Sequence, residues 1–238
     1  MPIRSKDRNG AESTKGRIDR REAIVGPWSH YLEFFFWSTP CLRGASMWVW
    51  NFDKEVAGKA PPGFAFSRTG NGKLGRWVVQ EENGAPSGAL VVAQLDSDET
   101  DYRFPIAVAN EPSLRNLRLS VRCKPVSGKV DQACGLVFRY RDENNYYVTR
   151  ANALEDNVRL YYVANGKRYQ FASWSGRVSS DTWHELRADA NGDRFEVYWD
   201  GKKVIDASDK TFPDEGKIGL WTKADSVTYF DNLSAEAR

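Results

Sequence analysis

Between residues 139 and 167 the chain reads RYRDENNYYVTRANALEDNVRLYYVANGK, which sets Arg139, Arg141, Arg150 and Arg159 among Tyr146, Tyr147, Tyr161 and Tyr162. Phenol rings offer flat apolar faces and guanidiniums donate several fixed hydrogen bonds, so the stretch is the chain's richest in groups that can contact a ligand. Strand parity selects among these residues. With Leu136, Phe138 and Tyr140 facing a core, Arg139 and Arg141 face outward; with Val158, Leu160 and Tyr162 inward, Arg159 and Tyr161 face outward. Arg139, Arg150, Arg159, Tyr161 and Tyr147 then share one surface. An ordinary solvated sheet face held by cross-strand pairs has the same composition, and both readings stay open. Glu155 and Asp156 lie in a loop beside this strip, as candidate general acid/base residues or as solvated loop acids. Trp174 sits in the loop-like Ser173-Trp174-Ser175-Gly176, where an indole is available for stacking.

The elements that must position these residues read as strands. No window beyond residue 50 sustains apolar residues at helical spacing with caps. Strand patterns recur instead at 76–80, 89–94, 104–108, 117–124, 135–141, 145–151, 158–164, 167–172, 183–190, 194–200, 202–206, 217–222 and 227–235. Leu117, Leu119, Val121 and Cys123 alternate with Arg118, Ser120, Arg122 and Lys124, which is one packed and one wet face. Asn165-Gly166 and Asp200-Gly201 are hairpin turns. Many short strands with regular turns predict an all-β, antiparallel sandwich or barrel.

The chain has 238 residues, 34 Lys+Arg and 32 Asp+Glu, and a near-neutral balance gives no pull toward nucleic acid. The first fifty residues carry eight basic against five acidic groups, so the positive excess sits there. Residues 1–49 read as a leader, with a polar basic stretch over 1–22 and an apolar, aromatic one from 23 on. Glu33, Pro27 and Pro40 interrupt the latter, which makes it too short to span a bilayer. A degenerate export signal implies a periplasmic or secreted protein; a true start at Met47 implies a cytoplasmic one. Residues 50–238 form the domain. Of three cysteines, Cys123 and Cys134 are expected as buried free thiols, with a cross-strand bridge as the alternative. No Cys/His metal spacing and no Gly-x-Ser-x-Gly elbow occur. The acidic run 96–101 reads as a charged turn or a calcium loop without its glycine.

From 181 to 232 the order is Trp183-His184, Asp200-Gly201-Lys202, Gly216-Lys217-Ile218-Gly219-Leu220-Trp221 and Phe230-Asp231-Asn232. It resembles the concanavalin A-like lectin/glucanase superfamily. Laminin G-like domains are similar, as is the bacterial 3-keto-disaccharide hydrolase (glycoside-hydrolase-16-like) group, over about residues 50–235. The resemblance implies a jelly-roll β-sandwich whose concave sheet holds an oligo- or polysaccharide through Tyr/Trp stacking and Arg hydrogen bonds. It also implies two alternatives, a glycoside hydrolase or keto-sugar hydrolase/lyase, and a laminin G-like protein-interaction module. The hydrolase group's strand motif is matched by Gly135 and Arg139. Trp221 and Lys223 stand where that group often carries Gln and His, which puts an aromatic where a sugar can stack. By the same resemblance, Asp231 on the final strand and Asp53 near the first are the positions for a structural Ca2+ ion.

Overall fold

The computed structural model describes residues 46–238, all of it strand, turn and loop. The expectations for the leader before residue 46 lie outside these residues. Fifteen strands follow in order: β1 Met47–Trp50, β2 Phe64–Gly70, β3 Trp77–Glu81, β4 Leu90–Gln94, β5 Arg103–Leu114, β6 Leu117–Ser127, β7 Ala133–Asp142 and β8 Asn145–Asn152. Then come β9 Asn157–Ala164, β10 Lys167–Ser175, β11 His184–Asn191, β12 Arg194–Trp199, β13 Lys202–Ser208, β14 Gly216–Trp221 and β15 Val227–Ala237.

They make two antiparallel sheets. An eight-stranded sheet runs β13-β12-β11-β6-β15-β4-β3, with β1 also paired to β15. A seven-stranded sheet runs β10-β9-β8-β7-β14-β5-β2. Every expected strand exists, with ends shifted by a few residues, and two strands are additional. The first three residues of β1 fall in the stretch that composition assigns to the leader, yet the strand pairs residue by residue with β15. β2 carries Phe64 and Phe66 inward between two positive-φ glycines, Gly63 and Gly70.

The fold is built by alternation. Leu117, Leu119, Val121 and Cys123 of β6 face Leu136, Phe138, Leu160 and Leu220 of the opposite sheet in one inter-sheet core. The hairpin turns are as expected: Asn165-Gly166 and Asp200-Gly201 all have positive φ, the conformation a two-residue turn between twisted strands needs. Cys123 and Cys134 form a disulfide, which corrects the expectation of free thiols. The two cysteines lie on strands of different sheets, both pointing into the core with Cα atoms 6.2 Å apart, so the bond staples sheet to sheet.

Candidate functional site

The seven-stranded sheet has a second apolar layer on its outer face. Phe104, Ile106, Val137, Tyr146, Val148, Tyr161, Val163 and Trp221 pack together there and are almost fully buried. Trp221 stacks on Phe104 with ring centroids 5.3 Å apart. Thr69 and Tyr146 share a 2.7 Å hydrogen bond. These residues come from β5, β7, β8, β9 and β14, so the floor is continuous across the sheet.

At one end of this floor the polar groups gather. Arg150 and Arg159 are direct register partners on β8 and β9 and both point outward. Like charges directly opposite repel, and Glu155 from the β8–β9 turn lies between them. Its Oε2 sits 2.8 Å from Arg150 Nη2, 3.1 Å from Arg159 Nη1, and accepts from Asn157 Nδ2 at 3.1 Å. Burial opposes the charge of Glu155, but the Asn157 amide and both arginines outweigh it and hold the carboxyl below the usual glutamate value. Arg150 Nη2 also donates to the Tyr161 hydroxyl at 3.2 Å.

A second charged group adjoins the first. Lys223 Nζ lies 2.9 Å from Asp131 Oδ2 and 2.7 Å from Asp101 Oδ1, and Asn152 Nδ2 donates to Asp131 Oδ1 at 2.8 Å. Burial pushes the Asp131 carboxyl up, against the pull of Lys223 and Arg150, and the charge of Glu155 adds to the rise. Asp131 is presented by the β6–β7 loop, whose Lys129, Val130 and Asp131 N–H groups all donate to the Asp225 carboxylate. An open depression of about 870 Å³ borders Glu155, lined also by Asp156, Gly176, Val178 and Thr182.

The structure thus brings together Arg150, Arg159, Tyr161, Glu155 and Lys223, with Trp221 in the floor beneath. It separates the other expected residues from them. Arg139 sits at a bulge with φ of 46°, which breaks the parity that placed it outward. Its guanidinium instead lies over the Phe195 and Tyr147 rings and donates to the carbonyls of Arg115, Phe212 and Gly192. Tyr147 points into the inter-sheet core, where its hydroxyl donates to Asp209 at 2.6 Å. Trp174 is on β10, not in a loop, and faces inward against the core. Asp156 has φ of 48° and accepts the Val178 N–H, so its carboxylate organises the loop after β10. Trp221 is fully buried and presents no free ring face.

Asp131, Asn152, Asn157 and Arg168 were not singled out in the sequence. Arg168 was reachable: it follows the Asn165-Gly166 turn, and register opposite Val163 puts it on the outer face. Nothing local marks Asp131, which is placed by a partner nearly a hundred residues away.

Asp53 and Asp231 converge on the loop before β4. Asp231 accepts the Ser87 N–H at 2.9 Å and the Asn232 N–H at 2.7 Å; Asp53 accepts the Ala89 N–H at 3.3 Å. A Cβ on Gly88 would fall 1.9 Å from Asp53 Oδ1. The single Ser87 hydroxyl proton faces three oxygens, both of Asp231 and Asn232 Oδ1. Burial raises the Asp231 carboxyl, assisted by the charge of Asp53. Carboxylate and amide oxygens are the ligand type a hard cation takes, and Asp53, Asp231 and Asn232 bring such oxygens to one loop. The carboxylates of the acidic run 96–101 face cationic side chains instead: Asp96 and Asp98 flank Arg103, Glu99 meets Lys129 and Asp101 meets Lys223.

The sequence profile of the 3-keto-alpha-glucoside-1,2-lyase-like domain matches residues 65–236. A levanase of Bacillus subtilis (strain 168) is 33% identical over 108 residues, which is 44% of this chain and 15% of that protein. Among solved structures, the carbohydrate-binding module CBM66 from Bacillus subtilis superposes with a TM-score of 0.58 at 23% identity, covering 72% of this chain and 95% of its own. Domain 4 of AbnA, an extracellular GH43 arabinanase from Geobacillus stearothermophilus determined with arabinotriose, gives 0.53 at 13% identity, covering 81% and 93%. These likenesses establish the jelly-roll, concanavalin A-like sandwich that carbohydrate-binding modules and glycoside-hydrolase domains share.

Proposed function

Since this chain belongs to the 3-keto-alpha-glucoside-1,2-lyase-like domain family, we propose that it binds a saccharide at the polar corner of the seven-stranded sheet's outer face. The observation that supports this most is Glu155, held ionised between Arg150, Arg159 and Asn157 at the lip of an open depression. Charged donors and acceptors fixed by one another are preorganised for hydroxyl groups, which both donate and accept. Lys223, Tyr161 and Arg168 extend the same surface. The levanase and arabinanase likenesses support a saccharide as the ligand class. The experiment is a glycan-binding screen of the wild type against Glu155→Gln. Binding that is present in the wild type and at least about tenfold weaker in the variant is the expected result. Equal binding by both would remove the site.

A second reading is catalytic, and one observation favours it. The charge of Glu155 adds to the rise of the Asp131 carboxyl, while the Glu155 carboxyl is itself lowered, and Arg150 and Lys223 bridge the two groups: the arrangement of a base beside an acid. In the 1,2-elimination that the family's description names, Glu155 would take the proton from C2 of a 3-keto-glucoside. Asp131 would give one to the departing glycosidic oxygen. The C2–H and C1–O bonds break and a C1=C2 double bond forms. Turnover of a 3-keto-glucoside that survives the Glu155→Gln, Asp131→Asn pair would exclude this assignment.

We further propose that Asp53, Asp231, Asn232 and Ser87 hold a structural calcium ion. Calcium should then raise the melting temperature of the wild type and leave Asp231→Asn unmoved; an equal rise in both would remove the assignment. Work outside the cytoplasm is proposed as well, supported by the buried Cys123–Cys134 bond, which oxidising compartments preserve.

A further inference from the structure

Three arginines stand on three successive strands of the proposed binding face: Arg150 on β8, Arg159 on β9 and Arg168 on β10. Ion pairs within 4 Å give them one carboxylate between them. Glu155 serves Arg150 and Arg159, and Arg168 has no acid in that range among the described residues. Asp131 and Asp101, the other acids of the corner, are committed to Lys223. Arg168 is held by ring faces instead: its Cζ lies 4.6 Å from the centroids of Phe104 and Tyr161 and 6.0 Å from Trp221.

Stacking engages the flat faces of a guanidinium and leaves its in-plane N–H donors free. That is what the donor inventory shows. Arg150 Nε, Arg159 Nε and Arg168 Nη1 are buried and lack a hydrogen-bond partner among the described residues. The Arg150 side chain is 1% exposed, so its orphan donor is deep in the face. A buried charged donor without a partner costs free energy, and three on adjacent strands is a standing deficit of acceptors and of negative charge. Hydroxyls alone fill the first deficit and not the second. A planar carboxylate fills both, with oxygens spaced for the guanidinium fork.

We propose that the saccharide bound here is acidic, with a sugar carboxylate, as in a uronic acid residue, held by Arg168, whose guanidinium shares the Tyr161 ring with Arg150. This rests on the saccharide-binding reading above and narrows it to a substrate class.

The test measures affinity for an oligogalacturonate, for the neutral galactose oligomer of equal length, and for a sulfated neutral oligomer. The wild type should prefer the oligogalacturonate by at least about tenfold, the gain of one charge-assisted contact. The preference should shrink as salt rises, and Arg168→Gln should bring the ratio toward one. Neutral and acidic oligomers bound equally would overturn the acidic assignment and leave saccharide binding standing. Preference for the sulfated oligomer would overturn the carboxylate. No binding of any of the three would overturn both readings. Should Arg168→Gln not fold, the wild-type ratio and its salt dependence decide alone.

Discussion

On the outer face of the eight-stranded sheet, Arg118 meets Asp189 at 3.0 Å, Arg194 meets Asp206 at 2.6 Å, and Lys203 reaches both Glu196 and Asp206. Arg187 lies 3.6 Å above the Tyr198 ring and 3.3 Å from Asp189. On the outer face of the seven-stranded sheet, Arg150 and Arg159 share Glu155 and Arg168 lies over the Phe104 and Tyr161 rings, above a buried aromatic floor. The two faces have similar residue types, and what separates them is pairing. Most charges on the first face satisfy one another, with Arg122 Nε and Arg187 Nε as exceptions among the described residues. On the second, Arg150 is buried while Glu155 and Arg159 are partly exposed, and three arginine nitrogens are unanswered among the described residues. A face whose ions are already paired has little to offer a ligand; one with orphaned donors over a packed floor does.

The largest effect that tests this contrast is on the floor itself. Trp221→Ala removes a fully buried ring stacked on Phe104 and should cost about 3–5 kcal/mol in a denaturant titration. Tyr198→Ala on the other face, which loses chiefly its contact with Arg187, should cost about 1 kcal/mol. Equal costs would mean that the second apolar layer is not a packed one.

The disulfide joins the sheets behind both faces. Cys123→Ala with Cys134→Ala should lower stability by about 2–4 kcal/mol, from the lost cross-link and its buried packing. Both faces should feel it alike. A loss of saccharide affinity without a fall in stability would show that the bond acts on the β6–β7 loop and Asp131, not on the sandwich.

Acid should then distinguish the faces. Glu155 is held below its ordinary value of 4.5, so the stabilisation it gives is complete above that value and lost as pH falls through the lowered one. Asp131 has the opposite sign: its carboxyl is raised, so it favours the fold while protonated and ceases to as pH rises through its own value. Affinity for a neutral oligomer, which has no charge of its own to titrate, should therefore hold at neutral pH and be lost only as pH falls below the ordinary glutamate value and Glu155 gains a proton. In Glu155→Gln that acid limb should be absent.

The fold was legible because alternation and turn chemistry are local. Leu117 to Lys124 shows which face is buried, and Asp200-Gly201 shows where the chain reverses. The site was legible only where parity ran unbroken, as at Arg150, Arg159 and Tyr161. One bulge at Arg139 flipped its side chain into the core end, and no spacing rule announces a positive φ at an arginine. Trp174 looked like a loop residue because Ser and Gly surround it, yet the pairing of β10 with β9 carries the strand through Ser175. Asp131 and Lys223 come from distant loops, and the disulfide bridges two strands that adjoin in sequence but belong to different sheets. Such pairings are set by the packing of sheets, which a linear pattern does not contain.

The smallest effect is the most discriminating. Asp189→Asn removes a carboxylate shared by Arg118 and Arg187 on a face where both sides of the pair are partly exposed. Solvent screens such pairs, so the cost should be within about 1 kcal/mol. Glu236 stays 3.9 Å from Arg118 as a substitute partner. Saccharide affinity should not change, whereas Glu155→Gln, also a single charge removed between two arginines, should weaken it. The two substitutions are matched in chemistry and differ in what they leave behind: Glu155→Gln strips the buried Arg150 of its carboxylate, whereas Arg118 keeps Glu236. If Asp189→Asn lowered affinity as much as Glu155→Gln, the loss would not belong to the corner around Glu155, and that corner would be removed as the binding site.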